Sequence, residues 1–168
     1  WHTERRAAAE SRLAQAGVRF EFFDGLCADD ALGRELFDAI DEHEFLINTG
    51  RQITDGEIGC FASHREVWKR AAELDEPVVI MEDDFELLGD FKATLNAVSA
   101  LIDDAGFIRL QTDLRAKKCS GIDIGGFRLC RFTKPPHGLM CYSLSPQVAR
   151  QFVAATRLLD APVDIFTK

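Results

Sequence analysis

A short apolar run that ends in three carboxylates constrains this chain more than any other stretch. It reads Pro77-Val78-Val79-Ile80-Met81, followed at once by Glu82-Asp83-Asp84. An apolar run containing Val-Val-Ile predicts a strand buried on both faces, the pattern of a central parallel strand. In open α/β sheets, ligands bind just beyond the carboxyl ends of such strands. Acids crowded there repel one another unless a cation, an arginine or a proton intervenes. Two readings follow: a divalent-metal site serving a phosphate-bearing substrate, or a solvated acidic turn after a core strand. The stretch alone does not choose between them.

With 168 residues the chain has the size of one ordinary domain, able to bury a sizeable core. A net charge of −8 argues against a general nucleic-acid binder. It leaves room for an anionic substrate, because a metal or a few arginines can set the local field. Cys27, Cys60, Cys119, Cys130 and Cys141 are widely spaced with no C-x-x-C pair. Such spacing predicts buried, reduced thiols in a reducing compartment. No stretch approaches the ~18 apolar residues of a membrane span, and no signal-peptide pattern opens the chain. The expected location is cytoplasmic.

Helical and strand patterns alternate along the chain. Residues 3–15 are rich in Ala, Glu and Arg, and Gly17 follows as a stop. Residues 18–23 alternate as a strand would, and Asp24-Gly25 turns the chain. Ala31, Leu32, Leu36, Phe37 and Ile40 recur at helical spacing. Thr54-Asp55-Gly56-Glu57 has the form of a capping box opening a helix to about Leu74. Ile58, Phe61, Ala62, Trp68 and Ala72 would fill one face of that helix, and Cys60, His64, Val67 and Ala71 a second. A helix over 91–102 and a strand over 107–110 follow the acidic run, giving a β-α-β repeat expected to form a parallel sheet. Arg115, Lys117 and Lys118 mark an exposed basic loop, and 127–132 a hairpin or edge strand broken by Lys134-Pro135-Pro136. Residues 139–144 read as another strand, and Ser145-Pro146 as a helix start. Residues 160–166 read as a closing loop.

Taken together, these segments resemble glycosyltransferase family 25, which includes bacterial lipooligosaccharide galactosyltransferases and collagen hydroxylysine galactosyltransferases. The resemblance rests on Ile53 through Trp68 (Ile-Thr-Asp-Gly-Glu-Ile-Gly-Cys-Phe-Ala-Ser-His-Arg-Glu-Val-Trp), followed at the expected distance by Ile80-Met81-Glu82-Asp83-Asp84. Gly138 through Pro146, Pro162-Val163-Asp164, Arg5-Arg6 and Phe22-Phe23-Asp24-Gly25 agree in order. The match covers most of residues 1–168, taken as one domain. It implies a GT-A-like three-layer α/β/α fold with a mostly parallel central sheet. The first strand of that fold would precede Trp1, and family members continue past Lys168, so the domain is expected to be truncated at both ends.

The resemblance further implies transfer of a hexose, usually galactose, from a UDP-sugar to an oligosaccharide acceptor of lipopolysaccharide or lipooligosaccharide, with inversion. Glu82-Asp83-Asp84 would stand where GT-A enzymes place their D-x-D motif. If the strand continued through them, Glu82 and Asp84 would share one side and Asp83 take the other. Asp84, with Glu82, is expected to hold Mn²⁺ or Mg²⁺, and Glu82 or Asp83 the donor's hydroxyls. Asp164 is the expected general base, with a helix N-cap as its structural alternative. Arg65 would pair with Glu82 or Asp83, or hold phosphate. His64, Glu57 and Tyr142 complete the expected donor-binding set, with a buried structural histidine, a helix cap and a core tyrosine as their respective alternatives. The expected partners are the sugar donor and the acceptor, with peripheral association at the cytoplasmic face of the inner membrane. A non-catalytic domain that binds a nucleotide-sugar or a partner is the alternative within the family. A Mg²⁺-dependent phosphohydrolase or phospho-acceptor domain fits less well, because it needs a Lys at a later strand end and gives the Gly-Glu-Ile-Gly-Cys segment no role.

Overall fold

The computed structural model of the chain describes residues 3–29, 40–110, 120–132 and 137–167. Ala31, Leu32, Leu36 and Phe37 of the expected helix, the basic loop at 115–118 and the Lys134-Pro135-Pro136 break lie outside the described residues, while Ile40, expected on that helix, forms a parallel bridge with Leu159. The chain divides into two compact units, one of residues 1–22 and 77–144, the other of residues 23–76 and 145–168.

The first unit opens with α1 (Thr3–Gln15), whose buried Ala9 and Leu13 pack with Phe85. Its sheet has β1 (Val78–Met81), β2 (Phe107–Arg109) and β5 (Cys141–Leu144), in the order β1-β5-β2. β5 is antiparallel to both neighbours, with Val78 opposite Leu144 and Phe107 opposite the same residue on the other side. All four residues of β5 are buried. The Ser143 hydroxyl is inside with them and donates to the Val78 carbonyl at 3.1 Å, so a buried polar group keeps its partner. Between β1 and β2 run α4 (Phe91–Ser99) and α5 (Ile102–Ala105), with Val98, Ile102 and Ile108 forming a second apolar cluster. Asp90 caps α4 by accepting from the Ala93 N–H at 2.9 Å. A hairpin of β3 (Ser120–Ile124) and β4 (Phe127–Arg131) turns at Gly125-Gly126, both at positive φ.

The second unit is built on α3 (Asp55–Leu74). Thr54 caps it and the capping box is complete: the Thr54 side chain accepts from the Glu57 N–H while Glu57 accepts from the Thr54 N–H. Its core is aromatic. Trp68 is fully buried, with the rings of Phe61, Phe152 and Phe166 at centroid distances of 6.4, 4.9 and 6.0 Å. Phe152 comes from α6 (Pro146–Ala155), capped by Ser145, and Phe166 from the short α7 (Val163–Phe166). α2 (Glu42–Thr49) is capped by Asp41 and ends on Gly50 in the left-handed region.

Several expectations are corrected. The mostly parallel central sheet is not what the described strands form, since every ladder among them is antiparallel. β1 and β2 do run the same way, as a β-α-β repeat requires, but the crossover leaves a gap that β5 fills. The repeat fixes direction and leaves adjacency open. Nor is β1 buried on both faces: it borders only β5 among the described strands, and Val79 is 40% exposed. The strand buried throughout is β5. Residues 18–23 form no ladder; Phe20 and Phe22 instead meet edge to face at 5.2 Å. The helix expected over 91–102 is two helices, and the expected closing loop contains α7. Of the cysteines, Cys27 and Cys60 are exposed, Cys141 is buried and Cys130 is disulfide-bonded. Cys27, Cys60 and Cys141 are thus free thiols as expected, but only Cys141 is also buried, and Cys130 departs from the expectation.

Candidate functional site

The acidic run leaves the sheet one residue at a time. Glu82 extends the β1 ladder by donating its N–H to the Met140 carbonyl at 2.8 Å, and its side chain is half-buried. Asp83 and Asp84 then lie in a bend. The period-2 alternation of a strand ends there. Asp83 and Asp84 consequently turn toward one point instead of opposite faces. That point is Nη2 of Arg5 on α1, which lies 2.5 Å from Asp83 Oδ1 and 3.3 Å from Asp84 Oδ2.

A cavity of about 330 Å³ opens beside this cluster, with Glu4, Arg5, Arg12, Asp83, Asp84 and Glu86 among its lining. Arg12 is fixed differently from Arg5. It donates to the Phe85 carbonyl at 2.8 Å and stands 5.9 Å from the centre of that ring. Two carboxylates directed at one positive centre offer the hard oxygen ligands that Mg²⁺ and Mn²⁺ take. The donor set therefore fits a divalent cation, with Asp83 joining Asp84 in a way the alternation argument did not anticipate.

The other expected site residues each have their own surroundings. Tyr142, in the middle of β5, is fully buried with its ring 5.5 Å from Phe107. In the second unit, both carboxylate oxygens of Glu57 are engaged by Arg51, at 2.7 Å to Nη1 and 2.5 Å to Nη2, and Oε2 also meets the Thr54 N–H and hydroxyl. The Arg51 hydrogen bond, helped by those from Thr54, holds the Glu57 carboxyl below its ordinary value. His64 is buried on α3, its ring 6.1 Å from that of Trp68. Arg65 donates Nε to the Thr156 carbonyl at 3.2 Å, which ties α3 to the end of α6. Asp164 is half-buried in the first turn of α7. The N-cap of α7 is Pro162, so Asp164 does not cap it. Phe166 holds α7 against Phe61 and Trp68 of α3.

A profile of glycosyltransferase family 25 (LPS biosynthesis protein) matches residues 2–167. The chain belongs to glycosyltransferase family 25. It is 26% identical to lipooligosaccharide biosynthesis protein lic2B of Haemophilus influenzae, over 90% of this chain and 58% of that protein. It is 29% identical to the lacto-N-neotetraose biosynthesis glycosyltransferase LgtB of Neisseria gonorrhoeae, over 96% of this chain and 61% of that one. A shorter match, 40% identical over 58 residues, joins it to human procollagen galactosyltransferase 2, covering 34% of this chain and 9% of the human protein. The chain thus spans less than two-thirds of the length of each.

Arg5 is the residue that the sequence reading did not place in the site, although Arg5-Arg6 was among the segments carrying the family resemblance. The available signal was charge: an arginine at the start of a helix, with a cluster of acids elsewhere in need of a cation. What the sequence did not supply was which of its basic residues would answer it.

Proposed function

We propose that this family 25 chain is the catalytic part of an inverting, metal-assisted glycosyltransferase with a GT-A-like site. It would move a hexose, galactose in this reading, from a UDP-sugar to an oligosaccharide acceptor in lipopolysaccharide or lipooligosaccharide biosynthesis. The work would be done at the cytoplasmic face of the membrane that carries the acceptor. No helix among the described residues is long and apolar enough to cross a membrane. The observation that carries the proposal is the convergence of Asp83 and Asp84 on one cationic centre beside a cavity at the end of β1.

In this reading Asp84 and Asp83 hold Mn²⁺ or Mg²⁺, with Glu82 as the next carboxylate of the run. A divalent ion held there supplies positive charge to the departing diphosphate. Asp164 is assigned as the general base that takes the acceptor hydroxyl proton. Its place in the Pro162-Val163-Asp164 segment and its partial burial on a helix packed against α3 support that role. His64, Arg65, Glu57 and Tyr142 are assigned to donor binding, as the family resemblance implies.

Calorimetry with UDP tests the metal assignment. Mn²⁺ should tighten UDP binding in the native chain and leave Asp84→Asn unchanged; equal UDP affinity with and without metal in the native chain refutes it. For the base, Asp164→Asn should bind UDP-galactose as the native chain does and transfer roughly 100-fold more slowly. Transfer at the native rate removes Asp164 from that role. Donor binding without turnover on any saccharide acceptor would instead support a non-catalytic nucleotide-sugar-binding domain.

A further inference from the structure

The acidic pair at the end of β1 carries its own cation. Arg5 Nη2 is within ion-pair distance of an oxygen from each of Asp83 and Asp84, and all three residues line the cavity. A guanidinium and a divalent ion compete for these carboxylates, because the Arg5 contacts occupy one oxygen of each and two cations brought that close repel. We propose that Arg5 is a built-in counter-ion that is exchanged for the divalent cation: it keeps Asp83 and Asp84 converged while the site is empty and swings away when the metal enters. The inference rests on the metal-assisted reading above.

Three observations make the exchange possible. The pair is exposed, with Arg5, Asp83 and Asp84 side chains 43%, 38% and 52% accessible. Pairs of that kind are weak and release readily. Arg5 has a long, flexible stem and extends from the first turns of α1, so it can leave without moving the helix. α1 is anchored by other groups: Ala9 and Leu13 in the core with Phe85, Arg12 on the Phe85 carbonyl, and Arg6 stacked 4.1 Å above the Phe22 ring. Removal of the Arg5 charge therefore leaves the helix, and with it the bend at Asp83-Asp84, in place.

The expected benefit is preorganisation. Two adjacent carboxylates with no cation would spread apart, and the metal would have to gather them. Arg5 holds them together at the cost of competing for them.

The test is Mn²⁺ titration of the native chain, Arg5→Met and Arg5→Lys, by calorimetry and by the Mn²⁺ electron paramagnetic resonance signal, without nucleotide. Methionine keeps the stem and removes the charge, so Mn²⁺ should bind roughly five-fold tighter, the factor that corresponds to the upper end for an exposed ion pair. Lysine restores a competing charge and should return the affinity to within about two-fold of native. Far-UV circular dichroism of both variants should match the native chain. Unchanged or weaker Mn²⁺ binding by Arg5→Met, beside measurable native binding, overturns the exchange and leaves the metal assignment standing. Absence of Mn²⁺ binding in all three proteins at millimolar ion overturns both. Equal tightening by methionine and lysine would make the effect steric and also overturn the exchange.

Discussion

Gly56 and Gly59 lie three residues apart on α3, and alanine should have opposite effects at the two positions. A Cβ at Gly59 would stand 2.5 Å from the Leu26 carbonyl oxygen and 3.5 Å from the Cys27 Cα. Those neighbours are backbone, with no flexible side chain to give way. They are also tied to the helix: Ser63 Oγ accepts from the Leu26 N–H at 2.8 Å and donates to the Gly59 carbonyl at 2.7 Å. The 26–27 segment therefore cannot drift outward without breaking a partly buried hydrogen bond. Alanine gains about 1 kcal/mol of helix propensity over glycine, while overpacking of this kind costs typically about 1–3 kcal/mol. With the contact this close the upper part of that range applies, and Gly59→Ala should lose about 1–2 kcal/mol net. At Gly56 the nearest neighbour of a built Cβ is Thr54 Oγ1 at 4.0 Å, an ordinary contact. There only the propensity acts, and Gly56→Ala should be neutral or more stable by up to about 1 kcal/mol. Urea denaturation followed by circular dichroism and Trp fluorescence measures both, and for a chain of this size each kcal/mol corresponds to roughly 2–4 °C in Tm. Equal stabilisation by both substitutions would refute the close approach of α3 to the Leu26 carbonyl.

Two further outcomes follow from the titrating groups. The Glu57 carboxyl is held below its ordinary value of 4.5, chiefly by Arg51, so its contribution is complete above that pH and is lost as pH falls through the lower folded value. Glu57→Gln keeps the capping geometry without the charge and should flatten the acid limb of a stability-pH curve below about pH 4.5; an unchanged acid limb would show that Arg51 does not engage the carboxylate in solution. Burial pushes the Cys141 thiol up to about 12. Iodoacetamide at pH 8 should therefore modify the exposed Cys27 and Cys60 and spare Cys141 until denaturant is added, as read by peptide mass spectrometry. Native-state labelling of Cys141 would contradict the burial of β5.

The sequence by itself determined the features whose causes are local. The capping box at Thr54 and Glu57, the Ser145-Pro146 helix start and the bounds of α1 and α3 depend on residues within one or two turns of each other. The family, too, was legible, because it is carried by an ordered set of short segments. The acidic run stood out as a candidate site for the same reason: the end of a strand and the acids after it are adjacent in the chain.

Tertiary structure decided everything that depends on partners distant in sequence. An apolar run such as 77–81 does not say whether one neighbouring strand or two will cover it, and it was β5, some 60 residues later, that took the centre. The same holds for the acids. Strand alternation assigned Asp83 and Asp84 to opposite sides, but the backbone bends after Glu82 and leaves Asp83 and Asp84 directed at one nitrogen. That nitrogen belongs to a helix 78 residues earlier. Charge pairing is non-local and has no period, so composition could say that the acids needed a cation, and only the packing of α1 against Phe85 could say that Arg5 supplies it.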